Sequence, residues 1–197
     1  MKVLLGTPIH ETKDSAIKRW LKNVAKLKYP ADFLMVDNSP GLDYTEKVKS
    51  YCKKYSIKNY QIKHIDIHQE NGMDEMIGRS REAIRQYVLA HDYDAWFSWE
   101  CDQLIPSDIL DKLVEAVKIG KFDMVSNLKY GKFSPDPGKE PNDDFSCALI
   151  KKEPLKKYGF LLEYPDMPDI WHGGGKWFKK RLTGSGGKYI EVCLGQS

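Results

Sequence analysis

Long apolar segments are missing from this sequence. No apolar run approaches the roughly 18 residues that a membrane-spanning helix needs. Residues 1–8 are too short, and lack the cleavage pattern, to be read as a signal peptide. We therefore expect a soluble protein of the cytoplasm.

Paired or clustered cysteines are also missing. The four cysteines are scattered, form no Cys-x-x-Cys motif and are not grouped with histidines, which disfavours a zinc site and a disulfide scaffold. We predict buried thiols for most of them. A disulfide stays open as an alternative if the source is a hyperthermophile, where intracellular disulfides occur.

The sequence has no large excess of charge of one sign. Its 31 basic and 28 acidic residues leave a formal net charge of +3, so no global field favours nucleic acid as the main partner. A hydrophobic content of 41% over 197 residues suffices for the core of one folded domain. Because we find no internal repeat or interdomain linker, we predict a single domain over residues 1–197.

What the sequence does contain is an alternation of short apolar runs and amphipathic helical segments. Residues 2–6 and 33–36 are apolar on both faces, as central parallel strands are. Residues 60–67 alternate between apolar and polar side chains, as in an edge strand. This order predicts an α/β fold with a Rossmann-like, mostly parallel central sheet and helices on both faces.

The predicted helices have recognisable starts. Asp14 or Ser15 is placed to cap the first helix, and Asp43 with Glu46 resembles the capping box of the second. A longer helix is predicted over about residues 74–91.

Residues 94–103 run from a largely aromatic strand into two carboxylates. Glu100 and Asp102, one residue apart, are spaced to share a divalent cation that prefers oxygen ligands, such as Mg²⁺ or Mn²⁺. A solvent-exposed acidic turn is the alternative interpretation.

Two further turns are predicted at the same edge of the sheet as this carboxylate pair. They are Thr7-Pro8 after the first strand and Asp37-Asn38 after the second. Ligands of parallel α/β sheets bind beyond the carboxyl ends of the strands. We therefore predict the functional site at this edge.

One basic side chain lies on a predicted apolar helix face. Ile84 and Val88 belong to the buried stripe of the long helix, and Arg81 falls within that stripe, whereas Arg79 is on the opposite side. A buried guanidinium needs an anion. Either a structural carboxylate or a ligand phosphate would satisfy it.

Four segments occur in a recognisable order. They read Gly-Thr-Pro-Ile-His-Glu at 6–11, Val-Asp-Asn-Ser at 36–39, Gly-Arg-Ser-Arg-Glu-Ala-Ile at 78–84 and Trp-Glu-Cys-Asp at 99–102. Each is weak alone, but in this order and spacing they resemble the GT-A glycosyltransferases, especially the family 2-like enzymes. The resemblance covers about the first half of the chain and continues more loosely at residues 146–151 and 159–160.

The resemblance implies a GT-A fold, a UDP- or GDP-linked sugar donor and a Mn²⁺ or Mg²⁺ ion. About residues 1–105 would bind the donor, and about residues 106–197 would face the acceptor. Asp37 would accept a hydrogen bond from the base, and Arg79 or Arg81 would approach the diphosphate. The donor-binding residues implied in this way are Thr7, Pro8, Glu11, Asp37, Asn38, Arg79, Arg81, Glu100 and Trp171, and the metal ligands are Asp102, Glu100 and His172.

The resemblance also implies a transfer to a hydroxyl of a glycan, protein or lipid acceptor, with inversion. Retaining GT-A enzymes share the donor-binding half, so retention stays open as the alternative. Asp169 is the first choice for the catalytic base and Asp166 the second. The sequence departs from the family pattern in having Glu100 as the first acid, Cys101 in the middle and no Glu-Asp pair at the position of the base. These departures leave the metal geometry and the identity of the base open. His172 has a structural role as its alternative.

Two other functions are compatible with such a fold. A sugar-1-phosphate nucleotidyltransferase normally begins with a Gly-x-Gly-Thr phosphate loop, most of which is missing here. A non-catalytic module that binds nucleotide sugars or glycans would have kept the fold and lost the base. One fold can host several chemistries. The residues of the site, rather than the fold, therefore have to distinguish these alternatives.

Overall fold

The computed structural model describes residues 1–68, 72–127, 145–161 and 173–194. Within these ranges the strands are β1 (Val3–Ile9), β2 (Ala31–Asp37), β3 (Tyr60–His64), β4 (Ala95–Trp99), β5 (Met124–Asn127), β6 (Cys147–Lys151) and β7 (Tyr189–Val192). The helices are α1 (Asp14–Val24), α2 (Asp43–Lys54), α3 (Met73–Ala90), α4 (Ile109–Gly120), α5 (Lys152–Lys157) and α6 (Gly173–Gly184). A 3-10 turn, Glu11–Lys13, precedes α1.

The strands form one seven-stranded sheet in the order β3-β2-β1-β4-β6-β5-β7. β1 pairs in parallel with β2 and β4, β2 with β3, and β5 with β7. β6 is antiparallel to both of its neighbours, β4 and β5, so β5 and β7 run in the same direction as β1. The predicted mostly parallel sheet is therefore confirmed, and the edge at which the other six strands end is called the carboxyl edge below.

Helices cover both faces of the sheet. Successive side chains of a strand point to opposite faces, and both faces of the central strands carry apolar side chains that need cover. In β1, Val3 and Leu5 belong to the core shared with α1, α2 and α4, whereas Leu4 belongs to the core shared with α3, α5 and α6. In β4, Phe97 and Trp96 divide in the same way. All five side chains are buried, so β1 and β4 lie at the centre of the fold.

The strand order reverses beside β1. The chain builds outward from β1 through β2 to β3, and α3 then carries it back to β4 on the other side of β1. The pairing of β1 with β4 stops at Gly6 and Ser98, whereas its pairing with β2 continues to Ile9 and Asp37. The sheet therefore opens between β1 and β4 at the carboxyl edge, the place where ligands of such sheets bind.

Close packing of α3 against the centre of the sheet requires glycine at position 6. A Cβ built there would lie 2.4 Å from Cγ2 of Ile84 and 2.7 Å from Nε1 of Trp96. The Trp96 indole instead donates a hydrogen bond to the Gly6 carbonyl at 3.0 Å. This contact joins β4, β1 and α3 directly below the opening.

The predicted Thr7-Pro8 turn is wrong, because both residues belong to β1. Proline is tolerated in strands that have a neighbour on one side only, and β1 has no recorded pairing with β4 beyond Gly6. The first strand is therefore longer than predicted and delivers Ile9, rather than Thr7, to the carboxyl edge.

The predicted helix caps are also wrong. Asp14 is the first residue of α1, which follows directly on the 3-10 turn, and the side-chain cap belongs to that turn: Nδ1 of His10 accepts from the Thr12 backbone N–H at 3.2 Å. Asp43 is likewise inside the first turn of α2, and Leu42 at the N-cap position makes no side-chain hydrogen bond. In both cases the acid still lies at the positive end of the helix dipole.

Of the other predictions of local structure, the edge strand is confirmed but is shorter than predicted, because β3 ends at His64 rather than at Ile67. β3 is an edge strand with alternating exposure, and α3 buries Arg81 while it exposes Arg79. None of the helices described here combines the length and the apolar character needed to cross a membrane. The predicted loop at residues 131–144 and the predicted acidic segment at residues 163–169 lie outside the described residues.

Candidate functional site

Asp37, at the end of β2, is fully buried at the carboxyl edge. Its Oδ1 accepts from the Ser39 backbone N–H at 3.0 Å, and its Oδ2 accepts from the Thr45 hydroxyl at 2.6 Å. His64 ends the neighbouring strand β3, and its Nδ1 lies 3.9 Å from Oδ2 of Asp37. The carboxylate therefore ties the end of β2 to the first turn of α2 and lies beside an imidazole.

The turn after β2 also connects α3 and the 3-10 turn. Nδ2 of Asn38 donates to the Met76 carbonyl at 3.3 Å and to the Ser80 hydroxyl at 3.0 Å, both on α3. Oγ of Ser39 accepts from the Glu11 backbone N–H at 2.9 Å. Side chains that follow β2 thus position the elements on both sides of the opening in the sheet.

Glu100 follows β4 directly and is held from two directions. Its backbone N–H donates to the Ser146 carbonyl at 3.0 Å, and its Oε1 accepts from Nη2 of Arg81 at 3.2 Å. The Arg81 side chain is only 9% exposed, and its guanidinium lies over the Phe145 ring, 5.3 Å from the ring centre. The buried arginine is therefore paired with a structural carboxylate, one of the two partners that its position predicted.

Asp102 is paired with a lysine from the other side of the opening. Nζ of Lys13, in the 3-10 turn after β1, donates to Oδ2 of Asp102 at 2.5 Å. This hydrogen bond raises the pKa of Lys13 above its ordinary value, against a smaller opposing effect of burial. The pair spans the gap between the ends of β1 and β4, so the acidic turn and the 3-10 turn are in direct contact.

Cys101, between the two acids, faces the core. Burial raises the pKa of its thiol to about 12. The side chain is therefore a protonated, apolar-facing thiol at neutral pH and serves packing rather than ligation.

The start of α6 packs against the same arginine. A Cβ on Gly175 would lie 2.7 Å from the Phe145 ring and 3.0 Å from Nη1 of Arg81. A Cβ on Gly174 would lie 2.4 Å from the Phe160 carbonyl oxygen. The glycines thus allow the helix backbone to approach closely, and they bring the first turn of α6 next to Arg81.

Glu100 and Asp102 fit a divalent cation that binds together with a nucleotide. Their side chains keep 24% and 20% of their surface exposed, and each is neutralised by a basic partner. In the parts of the chain that the structure describes, no group of three or more His, Cys, Asp or Glu side chains is arranged to hold a metal ion. Mg²⁺ in nucleotide-dependent enzymes is usually held by one or two carboxylates, waters and substrate phosphates, and this pair provides two such carboxylates.

The structure brings most of the predicted donor-binding residues to one edge. Thr7 and Pro8 lie near the end of β1, and Glu11 lies in the 3-10 turn that follows it. Arg79 is instead on the exposed side of α3, where its Nε donates to Oε1 of Glu75 at 2.7 Å. Asp166, Asp169, Trp171 and His172 lie outside the described residues, and their roles stay predictions.

Sequence reasoning missed Lys13, His64 and Thr45. His64 lies inside the predicted edge strand over residues 60–67, whereas the observed strand β3 ends at His64, beside the end of β2 at Asp37, so a histidine near a strand end was the available signal. Lys13 had no such signal, because its partner Asp102 is 89 positions away in the sequence. Their contact depends on the order of the strands.

Comparison with solved structures identifies the fold. The seven-stranded, mostly parallel sheet with helices on both faces matches the GT-A fold. The fold predicted from the four motifs is therefore confirmed.

Particular solved structures with this fold match almost the whole chain. The mannosyltransferase PcManGT from Pyrobaculum calidifontis, solved with GDP-Man and Mn²⁺, superposes with a TM-score of 0.70 at 14% identity, over 98% of this chain and 55% of that one. TarS 1-349 of S. aureus superposes with a TM-score of 0.69 at 12% identity, over 99% of this chain and 59% of that one. The same TarS fragment solved with UDP-GlcNAc has a TM-score of 0.60 at 13% identity, over 100% of this chain and 60% of that one.

The present chain thus spans somewhat over half the length of these matched chains. Neither a family model nor a curated protein matches the sequence. At such low sequence identity the similarity establishes the fold, and the activity has to be argued from the site.

Proposed function

We propose that this protein is a metal-dependent glycosyltransferase that moves a sugar from a nucleoside-diphosphate donor to an acceptor hydroxyl. The observation that carries the proposal is the position of Glu100 and Asp102. In a GT-A fold, the two carboxylates lie directly after β4, at the opening between β1 and β4. Three of the matched structures support a donor of this kind, because they were solved with GDP-Man, with UDP and with UDP-GlcNAc.

We assign Asp102, assisted by Glu100, to a Mn²⁺ or Mg²⁺ ion. A divalent cation bound there would neutralise the charge that develops on the departing nucleoside diphosphate. Arg81 holds Glu100 in place, and its burial against Phe145 restricts the movement of the guanidinium. Lys13 lies close enough to Asp102 to contact the same diphosphate.

For the nucleoside end of the donor we propose the neighbouring part of the carboxyl edge. Thr7, Pro8 and Asn38 would form its wall, and Asp37 would accept a hydrogen bond from the base. Each Asp37 oxygen already accepts one hydrogen bond and retains a second lone pair. Because the carboxylate has no exposed surface, it orders the wall, and we expect the side chains that cover it to move when the base forms its hydrogen bond with Asp37.

For the transfer step we propose a carboxylate from the segment before α6, with Asp169 first and Asp166 second. The acceptor oxygen would form a bond to the anomeric carbon, and the bond from that carbon to the diphosphate would break, with its electron pair leaving on the diphosphate. The acceptor proton would pass to the carboxylate, and the sugar would be inverted. The position of Gly175 beside Arg81 supports this assignment, because the proposed base precedes the same helix by a few residues.

We propose Trp171 as a stacking surface for the sugar and His172 as a further metal ligand. Both residues immediately precede α6 in the sequence. Their predicted roles rest on the resemblance to family 2-like enzymes. The acceptor, whether glycan, protein or lipid, would approach from this side of the edge.

A non-catalytic module that binds nucleotide sugars is the second candidate. It is favoured by the ion pairs of Asp102 with Lys13 and of Glu100 with Arg81, which neutralise both acids without a metal. Donor turnover distinguishes the two candidates. A transferase passes the sugar slowly to water or quickly to an acceptor and thereby releases nucleoside diphosphate, whereas a binding module releases none.

The test is isothermal calorimetry with UDP, GDP, UDP-GlcNAc and GDP-Man, each with Mn²⁺ and with a chelator. We expect one of the two diphosphates and its sugar to bind only with the metal. Asp102→Asn should abolish the metal-dependent part of the binding. Asp108→Asn is the matched control, because Asp108 is also an acid paired with a lysine, Lys112, at 3.1 Å.

Binding to Asp102→Asn with unchanged affinity would remove the metal assignment. If folded wild-type protein binds none of the four compounds, the transferase proposal and the binding-module alternative are both wrong. Metal-dependent binding without any release of diphosphate would leave the binding module as the function.

A further inference from the structure

Each of the two acids in the turn after β4 forms an ion pair with a basic residue of this chain. Glu100 is paired with Arg81, whose side chain is 9% exposed, and Asp102 is paired with Lys13, whose side chain is 45% exposed. The two cations therefore differ in how easily they move. Arg81 is enclosed by Phe145 and the start of α6, whereas Lys13 extends from a surface turn on a flexible four-carbon stem.

We propose that Lys13 is an internal counter-cation of Asp102 which a divalent metal has to displace, so that metal and nucleoside diphosphate each bind to this protein more tightly when the other is present. This inference rests on the proposed function, and it identifies Lys13 as a positioning residue that couples the two ligands. When metal and nucleotide are both bound, Lys13 would contact the diphosphate instead of Asp102.

Electrostatics requires the displacement. Nζ of Lys13 lies 2.5 Å from Oδ2 of Asp102, so it occupies the space beside that oxygen in which a metal ion such as Mg²⁺ would lie, at about 2.0–2.1 Å from the oxygen. An ammonium and a divalent cation cannot share that oxygen closely, because like charges a few ångströms apart repel strongly in a partly buried site. A metal that binds Oδ2 of Asp102 in the free protein must therefore break this ion pair and leave the ammonium without its closest carboxylate.

A nucleoside diphosphate removes this obstacle. Its oxygens ligate the metal and, at the same time, provide Lys13 with a new anion close to the old one. The metal then gains affinity when the nucleotide is present, and by thermodynamic linkage the nucleotide gains the same factor when the metal is present. Lys13 would thus weaken the binding of a metal without its donor.

The experiment measures binding of Mn²⁺ alone, from the magnetic resonance signal of the free ion, in the absence of any nucleotide. Lys13→Met should bind Mn²⁺ at least about five-fold more tightly than the wild type, the lower end of typical coupling factors. Lys13→Arg keeps the charge and should bind Mn²⁺ as weakly as the wild type. Asp102→Asn, added to Lys13→Met, should abolish the gain.

Lys47→Met is the matched control for the lost charge. Lys47 is 49% exposed and pairs with Asp14 at 2.9 Å, while Lys13 is 45% exposed and pairs with Asp102 at 2.5 Å. The control variant removes an equally exposed lysine from an equivalent pair, and its Mn²⁺ affinity should equal that of the wild type. A gain in both variants would indicate net charge alone and would overturn the proposal.

The second measurement repeats the Mn²⁺ titration with UDP or GDP present. The ratio of Mn²⁺ affinities with and without the nucleotide should fall at least about five-fold in Lys13→Met. If Lys13→Met and the wild type bind free Mn²⁺ equally, the inference about Lys13 is wrong. In that case, Asp102-dependent binding of metal and nucleotide to the wild type would still support the proposed function, whereas its absence would remove that function as well.

Discussion

Among the described acidic side chains, Asp37 is the one that is buried, and its surroundings explain how a carboxylate is accommodated there. It accepts hydrogen bonds from the Ser39 backbone and the Thr45 hydroxyl. A buried charge is tolerated only when such partners replace water. The residue therefore joins two roles, since it organises the turn after β2 and lies at the edge where we place the donor.

Thr45→Val should destabilise the protein, because valine keeps the shape of threonine and removes the hydroxyl that donates to Asp37. Thr45 is itself buried, so water does not replace the lost donor easily. Hydrogen bonds to charged groups contribute about 1.5–3 kcal/mol, and we expect a loss of that size in the free energy of unfolding measured with urea.

Thr45→Ser is the control for this prediction. Serine keeps the donor and loses one methyl group, so its cost should be clearly smaller than that of valine. Equal losses in the two variants would show that the methyl group and its packing, rather than the hydrogen bond to Asp37, determine the stability at this position.

At the scale of elements, α6 owes its position to glycines. Gly174 lies against the Phe160 carbonyl and Gly175 against Phe145 and Arg81. The glycines thus permit a close approach of the helix backbone to two aromatic residues that flank β6 and α5, and to α3.

Gly174→Ala should destabilise the protein and displace the start of α6. The added Cβ would lie 2.4 Å from a backbone oxygen, which moves less readily than a side chain. Overpacking of this kind costs about 1–3 kcal/mol, which urea unfolding would measure.

Gly184→Ala provides the comparison within the same helix. No atom lies within 4 Å of a Cβ built on Gly184, and alanine has the higher helix propensity. This variant should be as stable as the wild type or slightly more so. If Gly174→Ala behaved like Gly184→Ala, the close packing of α6 against Phe160 would be contradicted.

At the scale of the whole molecule, three cysteines lie in one of the two cores that the helices form on either face of the sheet. Cys52, Cys101 and Cys147 are buried in the core between the sheet and helices α1, α2 and α4. Burial raises the pKa of each of these thiols to about 12. Cys193 is exposed near the end of the described chain, and all four thiols are free.

Thiol labelling at pH 8 with a chromogenic disulfide reagent should therefore modify one cysteine quickly and three slowly. The thiolate is the reactive form, and a raised pKa keeps the buried thiols protonated until the pH approaches about 12. The slow phase should accelerate with urea, in parallel with unfolding. Cys193→Ser should remove the fast phase, and two or more fast thiols would contradict the packing of this layer.

Much of the fold was predictable because it depends on neighbouring residues. The apolar runs at residues 2–6 and 33–36 are buried strands, and the stripe that contains Arg81 is the buried face of α3. The helix starts and the Thr7-Pro8 turn were not predicted correctly. Local signals for a cap or a turn are weak, and the missing neighbour of β1 beyond Gly6 is a property of the sheet.

The candidate site also contains residues that the sequence predicted and residues that it did not. The positions of Asp37, Glu100 and Asp102 at strand ends could be inferred from apolar runs that stop at polar residues. Their partners could not be inferred, because Thr45, Arg81 and Lys13 reach them from other elements, and the last of these contacts joins residues 89 positions apart.

The sequence by itself therefore determined the class of fold and the edge of the sheet at which acids collect, since periodicity and strand ends are encoded in adjacent residues. Only the tertiary structure decided that Lys13 and Arg81 balance the charges of Asp102 and Glu100. The physical reason is that ion pairs depend on distances of a few ångströms between side chains. Those distances are set by the strand order β2-β1-β4 and by the packing of α3, rather than by any short stretch of sequence.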